Sequence, residues 1–330
     1  MYLQYFGLEK NPFSLTPDPR FLFLTSKHRE ALAALLFAVI QRKGFMVLTG
    51  DAGTGKTTLV RKLLLSIPAD CAQFSIIVNP ALTPSEFLEF ILMDFGLEHV
   101  PSSKALRLSL FKNLLLHAQS QGKTSVLVVD EAHLLTAELV EEIRLLSNFE
   151  TAEQKLLQIL LVGQSELDAV LQLESMRQVR QRVAIRTEIG PLSPSEIAAY
   201  LETRWRRAGT LLPLPFSAEA VELIARASEG IPRIINVICD AALTSAYGAG
   251  LNLIGVAQIL EVARDLRFTI PAASPSTAAI AAPESLPQNS TPSRVAAQQP
   301  IFKTIERYLP DQQKTSRLHK IASWFWSSAY

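Results

Sequence analysis

FMVLTGDAGTGKTTLV, residues 45–60, is the stretch that decides the fold of this 330-residue chain. Its apolar start at 45–49 predicts a strand, its glycine-rich middle predicts a tight loop, and residues 59–66 have helical periodicity. Glycines let backbone N–H groups converge on a phosphate, and a helix N-terminus adds partial positive charge. The alternative is a glycine-rich turn with a solvated lysine, but the order of strand, loop and helix favours a phosphate-binding loop.

Side chains of this loop have separate predicted tasks. Lys56 can reach the β- and γ-phosphates of a nucleotide, and the hydroxyl of Thr57 can bind Mg²⁺. ATP and Mg²⁺ are therefore the predicted cofactors. The predicted nucleotide-binding residues of the loop are Gly50, Asp51, Ala52, Gly53, Thr54, Gly55, Lys56, Thr57 and Thr58.

A second apolar run, SVLVVD at residues 125–130, ends in adjacent carboxylates. Asp130 would hold Mg²⁺ through water, and Glu131 would orient and polarise an attacking water. An acidic pair here can also simply begin a helix, but together with the loop at 50–57 it predicts hydrolysis. His133 has no second histidine or cysteine nearby, so a structural role beside the site is favoured over metal ligation.

Short apolar runs alternate with helix-length intervals from residue 45 to residue 189, which is typical of a parallel sheet covered by helices on both faces. After Gly190-Pro191 the pattern becomes wholly helical, with predicted caps at Ser193 or Ser195 and at Ser217. The predicted fold is α/β, a P-loop NTPase core of three layers with a five-stranded parallel sheet, followed by a small all-helical domain. The predicted strands are residues 45–49, 73–78, 125–130, 156–163 and 183–189.

Domain boundaries follow the changes in composition. Residues 45–190 are predicted to form the α/β core and residues 191–268 the small all-helical domain, with residues 1–44 as an N-terminal segment before the core. Residues 269–300 are rich in Ala, Pro and Ser and predict a disordered linker. Residues 301–330 are basic and aromatic, which predicts a docking or interfacial segment or, alternatively, a frayed polar tail.

Composition excludes some classes of protein. A net charge of +1 gives no bulk attraction to nucleic acid, so such binding needs a local basic patch. Cys71 and Cys239 lie in apolar sequence without metal-ligand spacing, which predicts buried thiols in a reducing compartment. The apolar runs are shorter than the roughly 20 residues that span a bilayer, and no signal peptide is recognised. The expectation is a soluble, cytoplasmic protein.

These motifs together resemble a known family. The DEAH box at 130–133, the five-strand plan and GIPR at 230–233 look like an AAA+ ATPase. The opening of the chain is similar to the ExeA type, the general secretion pathway protein A family, and the resemblance covers about residues 1–268. The matching runs are MYLQYFGL at 1–8, NPF at 11–13, PDPR at 17–20 and HREAL at 28–32.

The resemblance implies two sensors of the nucleotide. Gln164 matches sensor 1, where a polar side chain contacts the γ-phosphate or the attacking water, although an amide there could instead cap the helix that begins near Ser165. The resemblance makes the all-helical domain, residues 191–268, a helical lid over the nucleotide. Arg233 matches the sensor-2 arginine, which reaches from this lid to the γ-phosphate; a solvated arginine is the alternative.

The resemblance also implies residues at the edges of the nucleotide site, which the N-terminal segment 1–44 would flank. The arginine finger that completes a neighbouring subunit's site matches Arg182 first, with Arg180 and Arg177 as the other candidates. A solvated basic helix face is the alternative. Pro12 and Phe13 would flank the adenine, or would serve packing only.

The implied function is an AAA+ ATPase that assembles as a homo-oligomeric ring or partial ring and drives conformational work in a secretion, pilus or exopolysaccharide export complex. It would be cytoplasmic, peripheral to the inner membrane through partners or the C-terminal tail. The alternative is a DNA-linked ATPase of the transposition target-selection or origin-binding type, supported by the basic–aromatic group RWRR at 204–207. A scaffold that binds ATP without cleaving it is disfavoured by Glu131.

Overall fold

A five-stranded parallel sheet forms the centre of the chain in the computed structural model, which describes residues 1–16 and 18–270. Its order is β2-β3-β4-β1-β5, and every boundary lies within one residue of the predicted one. The predicted tail, and all but the first two residues of the predicted linker, lie outside the described residues. The strands are β1 (Phe45–Thr49), β2 (Ala72–Ile77), β3 (Thr124–Val129), β4 (Leu157–Val162) and β5 (Val183–Glu188).

Helices cover the sheet and continue beyond it. Those before β5 are α1 (Tyr2–Tyr5), α2 (Ser26–Ile40), α3 (Lys56–Ser66), α4 (Pro84–Asp94), α5 (Lys104–Ser120), α6 (Ala137–Leu146), α7 (Glu166–Gln172) and α8 (Arg177–Arg180). Those after β5 are α9 (Pro194–Arg207), α10 (Ala218–Ser228), α11 (Pro232–Gly248) and α12 (Val256–Asp265). Short 3₁₀ turns occupy Pro19–Phe21, Ala132–Leu134 and Glu174–Met176.

Alternating side chains of the strands bury both faces of the sheet. Val47, Leu127 and Leu161 point to the face packed by α4, α5, α6, α7 and α8. Met46 and Leu160 point to the opposite face, which α2 and α3 cover. Both faces are hidden from water, which explains why the strands read as continuous apolar runs rather than alternating ones. The predicted three-layer α/β core is confirmed.

The all-helical region begins where the sequence predicts a cap. The carboxylate of Glu196 accepts hydrogen bonds from the backbone N–H of Ser193, at 2.9 Å, and from its hydroxyl, at 2.9 Å. Ser193, rather than Ser195, is therefore the residue that precedes α9. Ser217 caps α10 by accepting from the N–H of Ala220 at 3.2 Å. Such caps satisfy backbone donors that the first helical turn leaves without partners.

The first residues of the chain pack into this helical region. Phe6, Leu8, Phe13 and Phe21 share one buried cluster with the apolar faces of α9, α10, α11 and α12. From Ser26 onward the chain leaves this cluster, and α2 packs on the sheet instead. The N-terminal segment therefore contributes to both parts of the fold.

Arg204 attaches the N-terminal segment to α9. It is 8% exposed, and its Nε donates to the carbonyl oxygen of Pro12 at 2.5 Å. Its guanidinium carbon lies 5.1 Å from the ring centroid of Phe21 and 5.5 Å from that of Tyr200, in cation–π geometry. A charge buried this deeply needs partners of this kind. Arg204 is thus a packing residue.

Its neighbours on α9 correct the sequence interpretation of residues 204–207. Trp205 is 1% exposed and donates from Nε1 to the carbonyl of Leu212 at 2.9 Å. Arg207 donates to the carbonyls of Arg20 and Leu22 at 2.9 Å each. The group is not a free basic–aromatic face for DNA, because Arg204, Trp205 and Arg207 bind backbone carbonyls within the chain. Exposed Arg206 pairs with Glu202.

The two cysteines differ. Cys239 is buried in α11, as predicted, whereas the prediction of a buried Cys71 is wrong. Cys71 lies in a turn, where its N–H donates to the carbonyl of Pro68 at 3.0 Å, and its side chain is exposed. Within the described ranges, no helix has both the length and the apolar character needed to cross a bilayer.

Replacing Arg204 by Met should lower the free energy of unfolding by about 2 kcal/mol, since buried carbonyls of the N-terminal segment lose their donor. The matched control is Arg206→Met on the same helix, where an exposed arginine pairs with Glu202 and contributes about 0.5 kcal/mol or less. Urea unfolding of both variants measures the difference. Equal losses would contradict the attachment that we describe.

Candidate functional site

The loop between β1 and α3 fits closely beneath the N-terminus of α11. A Cβ added at Gly53, which has φ of +80°, would lie 2.7 Å from the Cβ of Arg233. The N–H of Arg233 also approaches the Gly53 carbonyl oxygen, at 3.3 Å. Only glycine combines this backbone conformation with such a close approach. The loop and the helical region therefore meet at a position that glycine makes available.

Lys56 is held inside this loop. Its side chain is buried, and Nζ donates to the carbonyl oxygens of Gly50 at 2.7 Å and Asp51 at 2.8 Å. Burial lowers the pKa of Lys56, and the carboxylates of Glu131 and Asp130 oppose that shift. The ammonium group is thus fixed at the point where the loop turns into α3.

Thr57 and Asp130 bring two oxygen ligands together. The Thr57 hydroxyl donates to Asp130 Oδ2 at 2.9 Å, and the N–H of Glu131 donates to Oδ1 at 2.9 Å. Burial raises the pKa of the Asp130 carboxyl, and these hydrogen bonds partly offset the shift. In the part of the chain that the structure describes, no three His, Cys, Asp or Glu side chains form a metal cluster. One carboxylate and one hydroxyl fit Mg²⁺, which keeps several waters and uses phosphate oxygens for other positions.

Glu131 stands at a strained backbone position. It has φ of +51° and ψ of +36°, a left-handed conformation that non-glycine residues seldom adopt. Directly after it the 3₁₀ turn begins, so the chain reverses sharply at the end of β3. The turn holds His133 Nδ1 at 3.5 Å from Glu131 Oε2.

Gln164 follows β4 and meets the same histidine. Its Nε2 lies 3.2 Å from His133 Nε2, and its backbone N lies 3.4 Å from His133 Nδ1. Within the described residues the Gln164 amide does not cap α7, and Ser165 at the start of that helix provides no side-chain cap. The sequence assigned His133 a place beside the site but did not predict that it links two predicted site residues.

A cavity of about 440 Å³ lies over these groups, within the usual range for small-ligand sites. The phosphate loop, the lid and the N-terminal segment all line it. The sequence-predicted residues that line it are Ala52, Gly53, Thr54, Gly55, Lys56, Thr57, Thr58, Glu131, Gln164 and Arg233.

Pro12 and Phe13 do not line this cavity. Phe13 is fully buried in the helical cluster, 6.3 Å between ring centroids from Phe216. Arg204 binds the carbonyl of Pro12, as described above. Residues that come shortly after them line the cavity instead: Ser14, Leu15, Thr16, Asp18, Phe21, Leu22 and Phe23. From the lid, Leu192, Tyr200, Arg204, Pro232 and Asn236 also line it.

His28 is a lining residue to which the sequence gave no role at the site. Its Nδ1 lies 2.7 Å from Thr25 Oγ1, and its Nε2 lies 3.4 Å from the carbonyl oxygen of Thr54 in the loop. Burial lowers its pKa, which favours the neutral ring at neutral pH. The run HREAL contained this residue, but only its fold neighbours reveal the contact with the loop.

Arg233 and the three finger candidates have different surroundings. Arg233 is exposed at the cavity wall, and its guanidinium has no hydrogen-bond or ion-pair partner among residues 1–16 and 18–270. Arg182 donates to Ser147 Oγ at 2.7 Å and Asn148 Oδ1 at 2.6 Å, away from the cavity. Arg180 donates to the carbonyls of Leu171 and Gln172, and exposed Arg177 lies 3.6 Å from Glu174.

The sequence of this chain matches one family model and one protein of known name. Residues 39–171 match the family model of the AAA domain. The chain is 41% identical over 255 residues to general secretion pathway protein A of Aeromonas hydrophila, across 77% of this chain and 46% of that protein. It therefore spans about half the length of this curated relative.

Solved structures share the fold. The ORC2 protein of Aeropyrum pernix in ADPNP–ADP complexes has a TM-score of 0.61 at 16% identity, over 78% of this chain and 71% of that chain. Cdc6p of Pyrobaculum aerophilum has a TM-score of 0.59 at 19% identity, covering 77% and 70%. Drosophila ORC bound to DNA has a TM-score of 0.62 at 21% identity, covering 82% and 67%. At these identities the likeness concerns the fold alone.

Replacing Gly53 by Ala should destabilise the protein more than replacing Gly122 by Ala. Both glycines have positive φ, but a Cβ at Gly122 meets nothing within 4 Å, whereas one at Gly53 meets Arg233. The control should cost about 1 kcal/mol of backbone strain, and Gly53→Ala at least about 1 kcal/mol more. Thermal or urea unfolding measures the stability of both variants. Equal losses of unfolding free energy would show that the contact between Arg233 and the loop at Gly53 is not close enough to exclude a Cβ.

Proposed function

This chain belongs to the AAA+ proteins of the general secretion pathway protein A type, and on that premise we propose that it is a Mg²⁺-dependent ATPase. One observation carries the proposal. Lys56, Glu131, Gln164 and Arg233, from four separate elements of the chain, line a single cavity. A phosphate-binding loop alone indicates binding, whereas a carboxylate and a polar sensor beside it support hydrolysis.

Each group has a task that its position supports. Lys56, fixed within the loop, would neutralise the β- and γ-phosphates. Thr57 and Asp130 would hold Mg²⁺, which when bound offsets charge on the phosphate oxygens. Glu131 would orient the attacking water and accept its proton, and its partial exposure leaves it open to the cavity.

Nucleotide occupancy would be coupled to lid position. The cavity wall includes both loop residues and residues of α9 and α11, so a ligand there contacts both parts of the chain. Arg233 at the start of α11 has an exposed guanidinium that a phosphate could engage. Engagement would close the lid on the loop, and loss of the γ-phosphate would release it.

The work done by this cycle is proposed from the relative that shares 41% identity. Its name places that protein in general secretion, so a secretion or related export complex is the proposed partner of this chain. The DNA-linked alternative has lost its support from the sequence, because Arg204 and Trp205 are buried and Arg207 binds backbone carbonyls. Homo-oligomeric assembly, with an arginine completing the neighbouring site, remains part of the proposal.

Lys56→Ala and Glu131→Gln should separate binding from turnover. Loss of the ammonium group should weaken ATP binding by about 100-fold, since hydrogen bonds to charged groups are worth up to about 3 kcal/mol. Glu131→Gln should bind ATP normally yet lose about 100-fold or more in turnover. Isothermal titration and phosphate release measure the two properties. Exposed Glu138→Gln on α6 is the matched control, and wild-type turnover in Glu131→Gln would refute the assignment.

Arg182→Ala should reduce turnover by about 1000-fold at unchanged ATP affinity, if Arg182 completes the neighbouring subunit's site. Arg186→Ala, which removes an arginine from β5 directly after Arg182, is the control. Mixing Arg182→Ala with Lys56→Ala subunits should restore part of the activity, because each supplies what the other lacks. If the protein stays monomeric with ATP and Arg182→Ala leaves its turnover unchanged, this part of the proposal is wrong.

A further inference from the structure

His133 lies between the side chain that would sense the phosphate and the carboxylate that would activate water. We propose that His133 is a positioning residue whose tautomer follows the orientation of the Gln164 amide and decides whether Glu131 is restrained or released. The proposal rests on the ATPase function proposed above and adds a step of control to it. The observation that supports it is the geometry around the imidazole ring of His133, which contacts both Glu131 and Gln164.

The ring is confined between two elements. Its side chain is only 12% exposed, and the 3₁₀ turn that carries it starts directly after Glu131. On the other side a Cβ at Gly163 would lie 3.2 Å from the backbone N of His133, so a larger residue would push the turn away. Gly163 therefore lets the end of β4 bring Gln164 against the ring. The contact is built by the fold and is not a chance meeting of surface side chains.

A neutral imidazole carries one proton, so its two nitrogens must have opposite roles. With the proton on Nδ1, this nitrogen lies 3.5 Å from Glu131 Oε2, an electrostatic contact longer than a normal hydrogen bond, and Nε2 accepts from the NH₂ of Gln164 at 3.2 Å. In this state the Gln164 backbone N–H has no acceptor at Nδ1. With the proton on Nε2, Gln164 must present its carbonyl oxygen to the ring. Nδ1 then accepts from the Gln164 backbone N–H at 3.4 Å, and Glu131 loses its donor.

Gln164 can select between these two states because its amide has one donor end and one acceptor end. Phosphate oxygens only accept hydrogen bonds, so an amide engaged with a phosphate gives its NH₂ to that ligand. Its carbonyl is left for His133 and stabilises the Nε2–H tautomer. Glu131 is then released with both oxygens available to accept a proton from water. Without that engagement, the NH₂ of Gln164 stays on Nε2 and the Nδ1–H restrains Glu131.

Nitrogen-15 NMR of the imidazole rings in the full chain tests this directly, because protonated and unprotonated ring nitrogens give different signals. The chain has five histidines, and His133→Phe identifies the signal of interest. Adding Mg²⁺ with a non-hydrolysable ATP analogue should move the proton of His133 from Nδ1 to Nε2. His117, which lies 3.0 Å from the Gln121 amide on the surface of α5, is an internal control that should not respond. An unchanged His133 tautomer would overturn the proposal.

Gln164→Leu tests whether the amide transmits the change. Leucine offers neither donor nor acceptor, so at analogue concentrations that saturate the variant the His133 tautomer should remain unaltered. Gln121→Leu should leave the His133 response intact. A full tautomer change in Gln164→Leu would overturn the assigned coupling.

Turnover gives the second measurement. His133→Phe keeps a planar ring but removes the Nε2–H that would hold the Gln164 carbonyl while the NH₂ of Gln164 engages the phosphate. Because Gln164 is then not oriented, kcat should fall by about 10- to 100-fold with KM within about threefold. His133→Asn retains a donor near Glu131 but has nothing at the Nε2 position, so it should be as slow as His133→Phe. Wild-type kcat in either variant would overturn the coupling. Absence of turnover in the wild type would instead refute the ATPase proposal, while the tautomer measurement still tests the inference.

Discussion

The order of the parallel strands is the constraint on which the site depends. β1 lies between β4 and β5, with β3 beyond β4, and all carboxyl ends share one edge of the sheet. That single arrangement places the loop after β1, Glu131 after β3 and Gln164 after β4 side by side, although they are far apart in the chain. Ligands of open α/β sheets bind at this edge because chain reversals there leave a crevice. The apolar strands supply the stability, and their ends supply the chemistry.

The lid adds a second constraint, because it packs directly against the loop after β1. Gly53 lies beneath Arg233, so the backbone of the helical region touches the turn that would hold phosphate. The N-terminal segment belongs to the same arrangement. Arg204 and Arg207 bind carbonyls of this segment, and seven of its residues between Ser14 and Phe23 line the cavity. Motion of α9 would therefore move part of the cavity wall together with the lid.

Sequence periodicity was sufficient for the fold, since the central strands β1, β3 and β4 are mostly apolar and the helical starts at Ser193 and Ser217 each have a local cap. Local signals also predicted the loop at 50–57 and the pair Asp130-Glu131, because each is a run of adjacent residues; their roles in binding and hydrolysis stay a prediction. They failed for Arg204 and Cys71, because the partner of a long side chain or the exposure of a turn depends on residues far away in sequence. Pro12 and Phe13 were placed near the cavity by resemblance, whereas the described cavity is lined by the residues that follow them.

The link through His133 illustrates what sequence spacing cannot contain. Glu131 and His133 are two residues apart, and only the left-handed conformation of Glu131 turns their side chains toward each other. Gln164 reaches the same ring because β3 and β4 are neighbours in register, with Val129 opposite Leu161. In the proposed coupling, His133 without the Gln164 amide would have no partner that sets its tautomer. The amide without His133 would not contact Glu131. The chemistry of the site therefore follows from strand order as much as from the identity of its residues.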